Sequence, residues 1–497
     1  MALRMPAPDQ SVLARRREIV AALREIVPGE GVIDAEEELR AYECDALSVY
    51  RQLPMVAVLP STTEQVSRIL RYCHDNKVRV VPRGAGTSLS GGALPLADGV
   101  LLGLGKFNKI LDIDFANRTV TAQPGVTNLG ISTAVASSGF YYAPDPSSQI
   151  ACTIGGNVAE NSGGVHSLKY GLTTNNVLGI EMVLVTGEVI RLGGKHLDSE
   201  GYDLLGLMIG SEGLLGVVTE VTVRILKKPS TARALLIGFP SNEAAGDCVA
   251  AIIAAGIIPG GMEMMDRPAI HATEDFVHAG YPLDVEALLI VELDGPKVEV
   301  DHLIEQVAAI ARERQSMMLR ISESEEERVL FWAGRKSAFP AVGRITPDYM
   351  CMDGTIPRKK LPEVLARMRT LSETHALRFC NVFHAGDGNL HPLILFDAND
   401  ADQLRRTEEF AAEVLEKCVA VGGTITGEHG VGVEKINQMC IQFGAAELET
   451  FHAVKRVFDP RGLLNPGKAV PTLARCAEFG RMHVHGGRLR HAELPRF

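Results

Sequence analysis

The stretch Val78-Arg79-Val80-Val81-Pro82-Arg83-Gly84-Ala85-Gly86-Thr87-Ser88-Leu89-Ser90-Gly91-Gly92 decides how the chain is organised. Its first part has the apolar, β-branched character of a buried strand, and the rest is a turn rich in glycine and hydroxyl groups. Free backbone N–H groups in such a loop form a concave site for an anion such as a pyrophosphate. The loop does not match a Rossmann fingerprint, because Leu89 takes the final glycine position and no clean βαβ unit follows. NAD is therefore not the natural ligand.

Two further loops of the same character follow. Pro144-Asp145-Pro146-Ser147-Ser148 is a proline-fixed turn with two hydroxyls. Thr153-Ile154-Gly155-Gly156-Asn157-Val158-Ala159-Glu160-Asn161-Ser162-Gly163-Gly164 contains four glycines and two asparagines. Any one of the three loops is explained by an ordinary turn, whereas three so close together indicate a shared binding function.

A second set of residues carries a different chemistry. His384 and His391 flank the strong turn Asp387-Gly388-Asn389, so the two arms are expected to fold back towards each other. Glu428 and His429 lie between glycines in Gly427-Glu428-His429-Gly430-Val431-Gly432. Neutral imidazoles with a carboxylate suit Zn²⁺ or Mn²⁺ as a Lewis acid. We predict a metal site at His384, His391 and Glu428, with His429 as general base; a merely structural role for His429 is the alternative.

The alternation of strands and helices predicts an α+β fold. Strands are predicted at residues 55–59, 78–82, 100–104, 110–113, 119–122 and 217–225, and helices at 61–76 and 128–138. After a linker at 227–230, strands at 234–239 and 287–293 and helices at 243–255 and 298–314 indicate a smaller sheet with helices on one face. The predicted parts are an N-terminal helical segment (1–39), a two-lobed domain (40–228), a smaller α/β substrate or cap domain (229–425), a helical C-terminal segment that completes the active site (426–470) and a tail (471–497).

Composition excludes several classes of protein. The net charge is −11 and no basic cluster is present, so no nucleic-acid partner is expected. The longest apolar run, residues 249–258, cannot span a bilayer, so membrane contact is at most peripheral. The nine cysteines show no C-x-x-C spacing, which predicts reduced thiols in a cytoplasmic protein and leaves any iron–sulfur cluster to a partner.

Two motif-like segments are set aside. Gly462-Leu463-Leu464-Asn465-Pro466-Gly467-Lys468 has P-loop spacing, but Ala469 stands where a P-loop requires Ser or Thr. His483-Val484-His485 lies in an Arg- and His-rich end, for which a flexible tail is the better prediction than a metal site.

Taken together, these motifs resemble the FAD-linked oxidases of the vanillyl-alcohol-oxidase type, and within them the D-2-hydroxyacid dehydrogenase branch. The resemblance runs from about residue 33 to residue 468. It implies FAD bound between the two lobes, and bound non-covalently, because the first loop lacks the histidine to which some members tether the flavin. The implied FAD-binding residues are Pro82, Arg83, Gly84, Ala85, Gly86, Thr87, Ser88, Gly91, Gly92, Pro146, Ser147, Ser148, Thr153, Gly155, Gly156, Asn157, Asn161, Gly163, Glu212, Val218 and Asn465.

The resemblance also implies how the substrate is held. Metal-dependent members use the ligand set found at His384, His391 and Glu428. Trp332-Ala333-Gly334-Arg335-Lys336 resembles the segment whose arginine binds the substrate carboxylate, so Arg335 is the first choice and Lys336 and Arg344 are second choices. Without the resemblance, Arg335 reads as an ordinary surface residue of a helix. Cys351 and Leu393 replace polar residues of relatives with longer substrates, which favours a small monocarboxylate.

The resulting hypothesis is FAD-dependent oxidation of a small 2-hydroxy acid, glycolate or D-lactate, to the 2-oxo acid. Hydride passes to the flavin, and electrons leave to a quinone or to partner subunits, with FAD-binding and iron–sulfur sister subunits as candidates. One alternative is a stand-alone metal-dependent D-lactate or D-2-hydroxyglutarate dehydrogenase. The alternative from another class is a non-catalytic flavoprotein subunit of an electron-transfer complex, against which the intact His and Glu set argues.

Overall fold

A computed structural model describes residues 5–196, 201–472 and residue 476. Its first sheet contains the strand that leads into the first glycine loop. The strands are β1 (Val32–Ile33), β2 (Val56–Val58), β3 (Arg79–Arg83) and β4 (Gly99–Gly103), in the order β1-β2-β4-β3. β3 and β4 pair in parallel, so the loop after β3 leaves from the carboxyl edge of this sheet.

The second lobe is an antiparallel sheet. Its strands are β5 (Ile110–Asp114), β6 (Thr119–Ala122), β8 (Val177–Val183), β9 (Val189–Gly193) and β10 (Val217–Arg224), in the order β5-β6-β10-β8-β9, and β7 (Phe140–Tyr141) pairs separately with β11 (Leu226–Lys227). The buried and half-buried residues of β10 alternate, as expected for a strand with one face on the core.

Helices cover both lobes and connect them. They are α1 (Gln10–Ala14), α2 (Arg16–Ile26), α3 (Glu36–Leu39), α4 (Thr63–Asn76), α5 (Asn128–Val135), α6 (Ile154–Glu160), α7 (Ser167–Tyr170) and α8 (Leu204–Met208). The helix predicted at 61–76 begins at Thr63, two residues later than predicted. Thr62 is its N-cap, and the Thr62 side chain accepts a hydrogen bond from the Gln65 N–H. The Gln65 side chain in turn accepts from the Ser61 N–H.

The third sheet belongs to the cap domain and is entirely antiparallel. Its strands are β12 (Thr231–Phe239), β13 (Gly261–Asp266), β14 (Ala287–Gly295), β15 (Met318–Ile321), β16 (Asp348–Cys351), β17 (Phe379–Phe383) and β18 (Pro392–Phe396), in the order β15-β12-β14-β13-β17-β18-β16. The helices that follow the linker are α9 (Asn242–Ala254), α10 (Arg267–Val277), α11 (Lys297–Glu313), α12 (Glu325–Lys336), α13 (Ala338–Val342), α14 (Leu361–His375), α15 (Ala401–Ala420), α16 (Met439–Gln442) and α17 (Ala445–Phe458).

The prediction of a smaller sheet with helices on one face is wrong. With seven strands this sheet is larger than either sheet of the two lobes, and it is covered on both faces. Neighbouring residues of one strand enter different cores: Leu235 packs with α9, α11, α14 and α15, whereas Leu236 packs with α10, α12 and α13. Strands buried on both faces lack alternation, which is why the continuous apolar run of β14 misled the prediction.

The C-terminal segment returns from the cap domain to the first lobe. Residue 464 forms a parallel bridge with Val80 of β3, so the end of the chain lies behind the first glycine loop. Lys468, the lysine of the P-loop-like segment, is buried and donates to the carbonyls of Gly92 and Leu94. It therefore fixes the backbone at the end of the first glycine loop.

The prediction that all cysteines are reduced thiols is wrong for one pair. Cys440 and Cys476 form a disulfide, with their Cα atoms 5.3 Å apart. The two residues are 36 positions apart in sequence, and nothing in their spacing indicates the contact. The other seven cysteines are free, and six of them are buried.

No helix in the described part of the chain is long and apolar enough to cross a membrane. The segment His483-Val484-His485 and most of the predicted tail lie outside the described residues.

Candidate active site

The three glycine loops line one cavity of about 480 Å³, to which residues of the cap and of the C-terminal segment also contribute. Seventeen of the twenty-one predicted FAD-binding residues line it: Pro82, Arg83, Gly84, Ala85, Gly86, Thr87, Ser88, Gly92, Pro146, Ser147, Ser148, Thr153, Gly155, Gly156, Asn157, Glu212 and Val218. The other four, Gly91, Asn161, Gly163 and Asn465, do not line it.

Two of these four support the loops from behind. Asn465 donates from its side-chain amide to the carbonyls of Gly92 and Glu212, and so joins the first loop to the segment before β10. Gly91 has a φ of +75°, and a side chain there would meet Val433. Both positions shape the cavity without facing it.

The other two, Asn161 and Gly163, lie at the end of α6 and in the loop that follows it. Asn161 ends α6 in a left-handed conformation and accepts a hydrogen bond from the Thr174 N–H. A Cβ at Gly163 would lie 2.6 Å from Glu428 Oε2. The glycine therefore makes room for a predicted metal ligand, so the third loop contacts the metal site as well as the cavity.

Several lining residues were missed by the sequence analysis. They are Cys152 just before the third loop, Met182 in β8, Glu160 and Met208 at the ends of α6 and α8, and Phe339 and Pro340 in α13 of the cap. Glu160 is half-buried, and the loss of hydration of its carboxyl together with the neighbouring Glu212 raises its pKa well above the usual value. Glu160 lies within the third glycine loop, but the sequence does not show its proximity to Glu212.

The hairpin predicted around residues 387–389 is present. β17 leads to His384, and the chain turns back so that His384 and Asn389 bridge in antiparallel fashion before His391 and β18. Asp387 Oδ1 accepts the Asn389 N–H in an Asx turn. Gly388 has a φ of +84°, and a Cβ there would lie 2.2 Å from the carbonyl oxygen of Ile356. The two histidine rings lie 5.0 Å apart.

Glu428 joins the two histidines. Its Oε1 atom lies 3.1 Å from His384 Nε2 and 3.3 Å from His391 Nε2. Ligands about 2.0–2.2 Å from a tetrahedral Zn²⁺ lie about 3.3–3.5 Å apart, so these separations fit one ion. His391 Nε2 is buried, and among the described residues it has no hydrogen-bond partner of good geometry. The donor set therefore fits a divalent metal.

A second group of possible ligands shares His391. It consists of Asp353, His391 and His429. The Asp353 carboxylate, however, already accepts the N–H groups of Gly427, Glu428 and His429. Because these bonds occupy its lone pairs, Asp353 is better suited to hold the loop than to bind an ion. The set with His384 is the better site.

His429 lines the cavity beside the predicted ligands. Its ring stacks on His391, with centroids 4.8 Å apart and planes 10° apart. Burial and the neighbouring His391 lower the pKa of His429 to about 4, against the opposing effect of Asp353. The imidazole is therefore neutral at neutral pH, which is the state that a general base requires.

The ligands differ from His429 in their electrostatics. Burial would raise the pKa of Glu428, but His384, His391 and His429 lower it to about 2. Burial would lower the pKa of His384, but Glu263 and Glu428 hold it well above the usual range. Glu428 is therefore ionised at neutral pH. The space between its carboxylate and the His384 ring favours a positive charge.

Glu212 fixes the glycine loop that carries Glu428 and His429. Its two carboxylate oxygens accept the N–H groups of Val431 and Gly432, each at 2.7 Å. A Cβ at Gly430 would lie only 1.9 Å from Glu160 Oε2, and φ there is +78°. Glu212, which is predicted to bind FAD, therefore also fixes the loop that carries Glu428 and His429.

The three candidate cations for a substrate carboxylate have different surroundings. Arg335 is 1% exposed, so it is not a surface arginine; its Nε lies 2.9 Å from Glu263 Oε2, and it does not line the cavity. Lys336 is exposed and lines the cavity. Arg344 is paired with Asp275 at the surface and does not line the cavity.

The two residues that favoured a small substrate are neighbours. Cys351 of β16 lies directly opposite Leu393 of β18, and both are buried in the core that also contains Trp332. The pair makes this part of the cap apolar.

One ion network joins the second glycine loop to the cap. His166 Nδ1 lies 3.0 Å from Asp145 Oδ2, and His166 Nε2 lies 3.4 Å from Glu292 Oε1. Glu292 also accepts from Arg328 and from the Trp332 indole. Burial alone would lower the pKa of His166, but the two carboxylates raise it to about 10.

The stability of the protein should depend on this histidine over a defined pH range. The pKa of His166 is about 10 in the folded protein and 6.5 in the unfolded chain. Its contribution to the free energy of unfolding is therefore complete below pH 6.5 and is lost as the pH rises through about 10. We expect His166→Gln to lower the free energy of unfolding on the order of 2 kcal/mol at pH 6, discounted for partial exposure of the ring. Thermal unfolding of both proteins between pH 6 and 10 measures the difference, and a gap that stays constant with pH would contradict the assignment.

A cavity lined by three glycine-rich loops, with His391, Glu428 and His429 at its wall, is the arrangement expected of a flavoprotein oxidoreductase. The chain belongs to the FAD-linked oxidase family: residues 54–193 match its FAD binding domain, and residues 228–469 match the family described as FAD linked oxidases, C-terminal domain. FAD is thus the cofactor, and the predicted α+β fold of the vanillyl-alcohol-oxidase type is confirmed.

Individual relatives agree with this assignment. The chain is 60% identical to glycolate oxidase subunit GlcD of Escherichia coli K12, over 97% of each chain. It is 34% identical to D-lactate dehydrogenase of Anaerostipes hadrus, over 91% of this chain and 97% of that one. The solved structure of 4-ethylphenol oxidase from Gulosibacter chungangensis superposes with a TM-score of 0.78 at 18% identity, covering 94% of this chain and 99% of that one, and shows the shared fold.

Proposed function

We propose that the protein oxidises a small 2-hydroxy acid, glycolate or D-lactate, to the 2-oxo acid by hydride transfer to non-covalently bound FAD. The observation that carries the proposal is that one cavity is lined both by the glycine loops and by His391, Glu428 and His429. The names of the two curated relatives, a glycolate oxidase subunit and a D-lactate dehydrogenase, support the same substrate class.

His429 would act as the general base. Its neutral ring stands at the cavity wall, and its neighbour Glu428 belongs to the ligand trio. A substrate hydroxyl at the trio would lie within reach of the His429 ring, which takes the hydroxyl proton as the α-hydrogen leaves with its electron pair. FAD, when bound, supplies the acceptor for that hydride.

The trio His384, His391 and Glu428 would hold the divalent metal, Zn²⁺ or Mn²⁺. The spacing of its ligand atoms and the unpaired Nε2 of His391 support this assignment. A metal there would act as a Lewis acid that lowers the pKa of the substrate hydroxyl. Gly163 leaves Glu428 the space to join the trio.

Arg335 would bind the substrate carboxylate. Its Nη2 atom lies 2.8 Å from Glu263 Oε2, yet among the described residues it makes no hydrogen bond of good geometry. A buried guanidinium with an unused donor is suited to receive a carboxylate. This chain has Cys351 and Leu393 where relatives with longer substrates carry polar residues, which supports a monocarboxylate over 2-hydroxyglutarate.

Electrons would leave to partner subunits or a quinone. The relative named as a subunit supports sister subunits, and the absence of C-x-x-C spacing in the sequence assigns any iron–sulfur cluster to one of them. Peripheral contact with a membrane through such partners, from the cytoplasmic side, completes the proposal.

Anaerobic mixing of the FAD-loaded protein with candidate substrates tests the function. We expect glycolate or D-lactate to bleach the flavin absorbance, and L-lactate and D-2-hydroxyglutarate to do so at least tenfold more slowly. Removing the metal with a chelator should slow bleaching by about a hundredfold, since Lewis-acid activation provides several kcal/mol.

Chemical reduction with dithionite provides the control, because it shows that the flavin can be bleached in every sample. Bleaching by none of the four acids with metal present would reject the reaction. Fast bleaching after complete metal removal would reject the metal alone.

A further inference from the structure

The strand β13 contains a buried acid that the family motifs do not mark. Glu263 lies between Met262 and Met264, is 1% exposed, and both of its oxygens are used. Oε1 lies 2.7 Å from His384 Nδ1, and Oε2 accepts from Arg335 Nε at 2.9 Å. One carboxylate therefore contacts both the metal trio and the candidate carboxylate-binding arginine.

The sheet explains why these groups meet. β13 pairs with β17 so that Met264 faces Phe383. Continuing this register by one residue places Glu263 opposite His384, with both side chains on the same face of the sheet. Helix α12 covers that face, and Arg335 belongs to its buried side together with Phe331 and Trp332.

Stability alone does not account for the arrangement. A buried ion pair is on average no more stabilising than apolar residues of the same size, because both charges lose their hydration. A carboxylate on Nδ1, in contrast, fixes the proton of an imidazole on that atom and leaves Nε2 free as a ligand. His384 Nε2 is the atom that faces Glu428.

We propose that Glu263 is a positioning residue that orients His384 towards the metal and Arg335 towards the substrate carboxylate. The inference rests on the proposed function and assigns one residue to both halves of substrate binding. Loss of Glu263 should therefore weaken two measurable affinities together, although Glu263 touches neither metal nor substrate.

The test is Glu263→Gln in the FAD-loaded protein. An amide can accept from His384 or from Arg335 but presents a donor to the other, so at least one contact is lost. We expect a 10- to 100-fold weaker affinity for Zn²⁺ or Mn²⁺ in competition with a chromogenic chelator, the usual effect of removing a partner of a metal-binding histidine. At saturating metal, the KM for glycolate or D-lactate should rise about tenfold or more with a smaller change in kcat.

Glu292→Gln is the matched control. Glu292 lies on the adjacent strand β14, is also buried, and also joins an arginine to a histidine, Arg328 to His166. We expect it to lower the melting temperature but to leave metal affinity within about twofold of the wild type.

A double-mutant cycle with Arg335→Lys separates positioning from general damage. If Glu263 acts on the substrate through Arg335, the double variant should have nearly the KM of Arg335→Lys alone. Glu263→Asp, which keeps the charge, replaces Glu263→Gln if the amide variant does not fold.

The outcomes are distinct. Wild-type metal affinity and wild-type KM in the Glu263 variant, or additive effects with Arg335→Lys, would overturn the inference. A wild-type protein that binds neither metal would instead remove the metal from the proposed function, and the KM cycle would then decide the role of Glu263.

Discussion

Replacing His429 with alanine should abolish substrate-driven bleaching of the flavin while FAD stays bound. The expected loss in the rate of reduction is about 10²- to 10⁴-fold, the usual contribution of a positioned general base. The physical reason is that the other histidine among the described lining residues, His391, belongs to the ligand trio and cannot replace the base. Anaerobic stopped-flow mixing at saturating substrate measures the rate directly.

His375→Ala is the matched control for this prediction. His375 is also buried, stacks on Phe410 and contacts Glu413, but it lies on α14 and does not line the cavity. Its replacement should reduce stability and leave the rate per bound flavin unchanged. A comparable loss of rate in both variants would point to general damage.

Metal content distinguishes the base role from a ligand role. His429 also belongs to the group with Asp353 and His391 that could hold an ion. If His429→Ala binds metal with wild-type affinity and reduces flavin slowly, His429 is the base. If the variant loses the metal, His429 is a ligand and the base assignment is wrong.

Much of the fold could be predicted because its signals are local. The strand at 119–122 and the helices around 128 and 243 depend on β-branched runs, caps and apolar periodicity, and the structure has them within one or two residues at their beginnings. The glycine loops and the hairpin at Gly388 were equally visible, since they need particular residue types at particular backbone conformations.

The rest depends on contacts between distant residues. Glu263 and Asp353 belong to no motif. The role of an acid in a strand or just after a strand becomes visible only from the groups that it contacts in the folded protein. Arg335 illustrates the limit: the motif marked it as important, but its burial against Glu263 follows from the register of β13 and β17. The faces of the cap sheet were missed for a similar reason, since a continuous apolar strand does not show how many helices cover it.

Replacing Asp353 with asparagine should disable the metal site without touching an assigned ligand. Asp353 is completely buried and accepts the backbone N–H groups of residues 427, 428 and 429, as well as the Thr426 hydroxyl. Burial would raise its pKa, but His429, Lys435 and His391 hold the pKa well below the usual range, so the group is a carboxylate. The asparagine side chain has an NH₂ group in place of one carboxylate oxygen, so some of these N–H groups would lose their acceptor. The substitution would also remove the negative charge beside Lys435.

We expect Asp353→Asn to lower the free energy of unfolding by about 3–5 kcal/mol, the cost of breaking a buried charged network from one side. The loop with Glu428 and His429 should lose its fixed position, so metal affinity should fall at least tenfold and flavin reduction at least a hundredfold. Chemical denaturation, chelator competition and anaerobic stopped-flow reduction measure the three effects.

Asp459→Asn provides the comparison that makes the prediction specific. Asp459 is also buried, accepts the Leu464 N–H at 2.7 Å and pairs with Lys455 at 2.6 Å, but it supports the C-terminal segment behind the first glycine loop. Its variant should lose stability and keep its metal. If Asp353→Asn retains wild-type metal affinity and rate, the loop is held by Glu212 alone. The row of N–H groups at Asp353 would then contribute to stability only, and the position of His429 would have to be explained from the flavin side of the cavity.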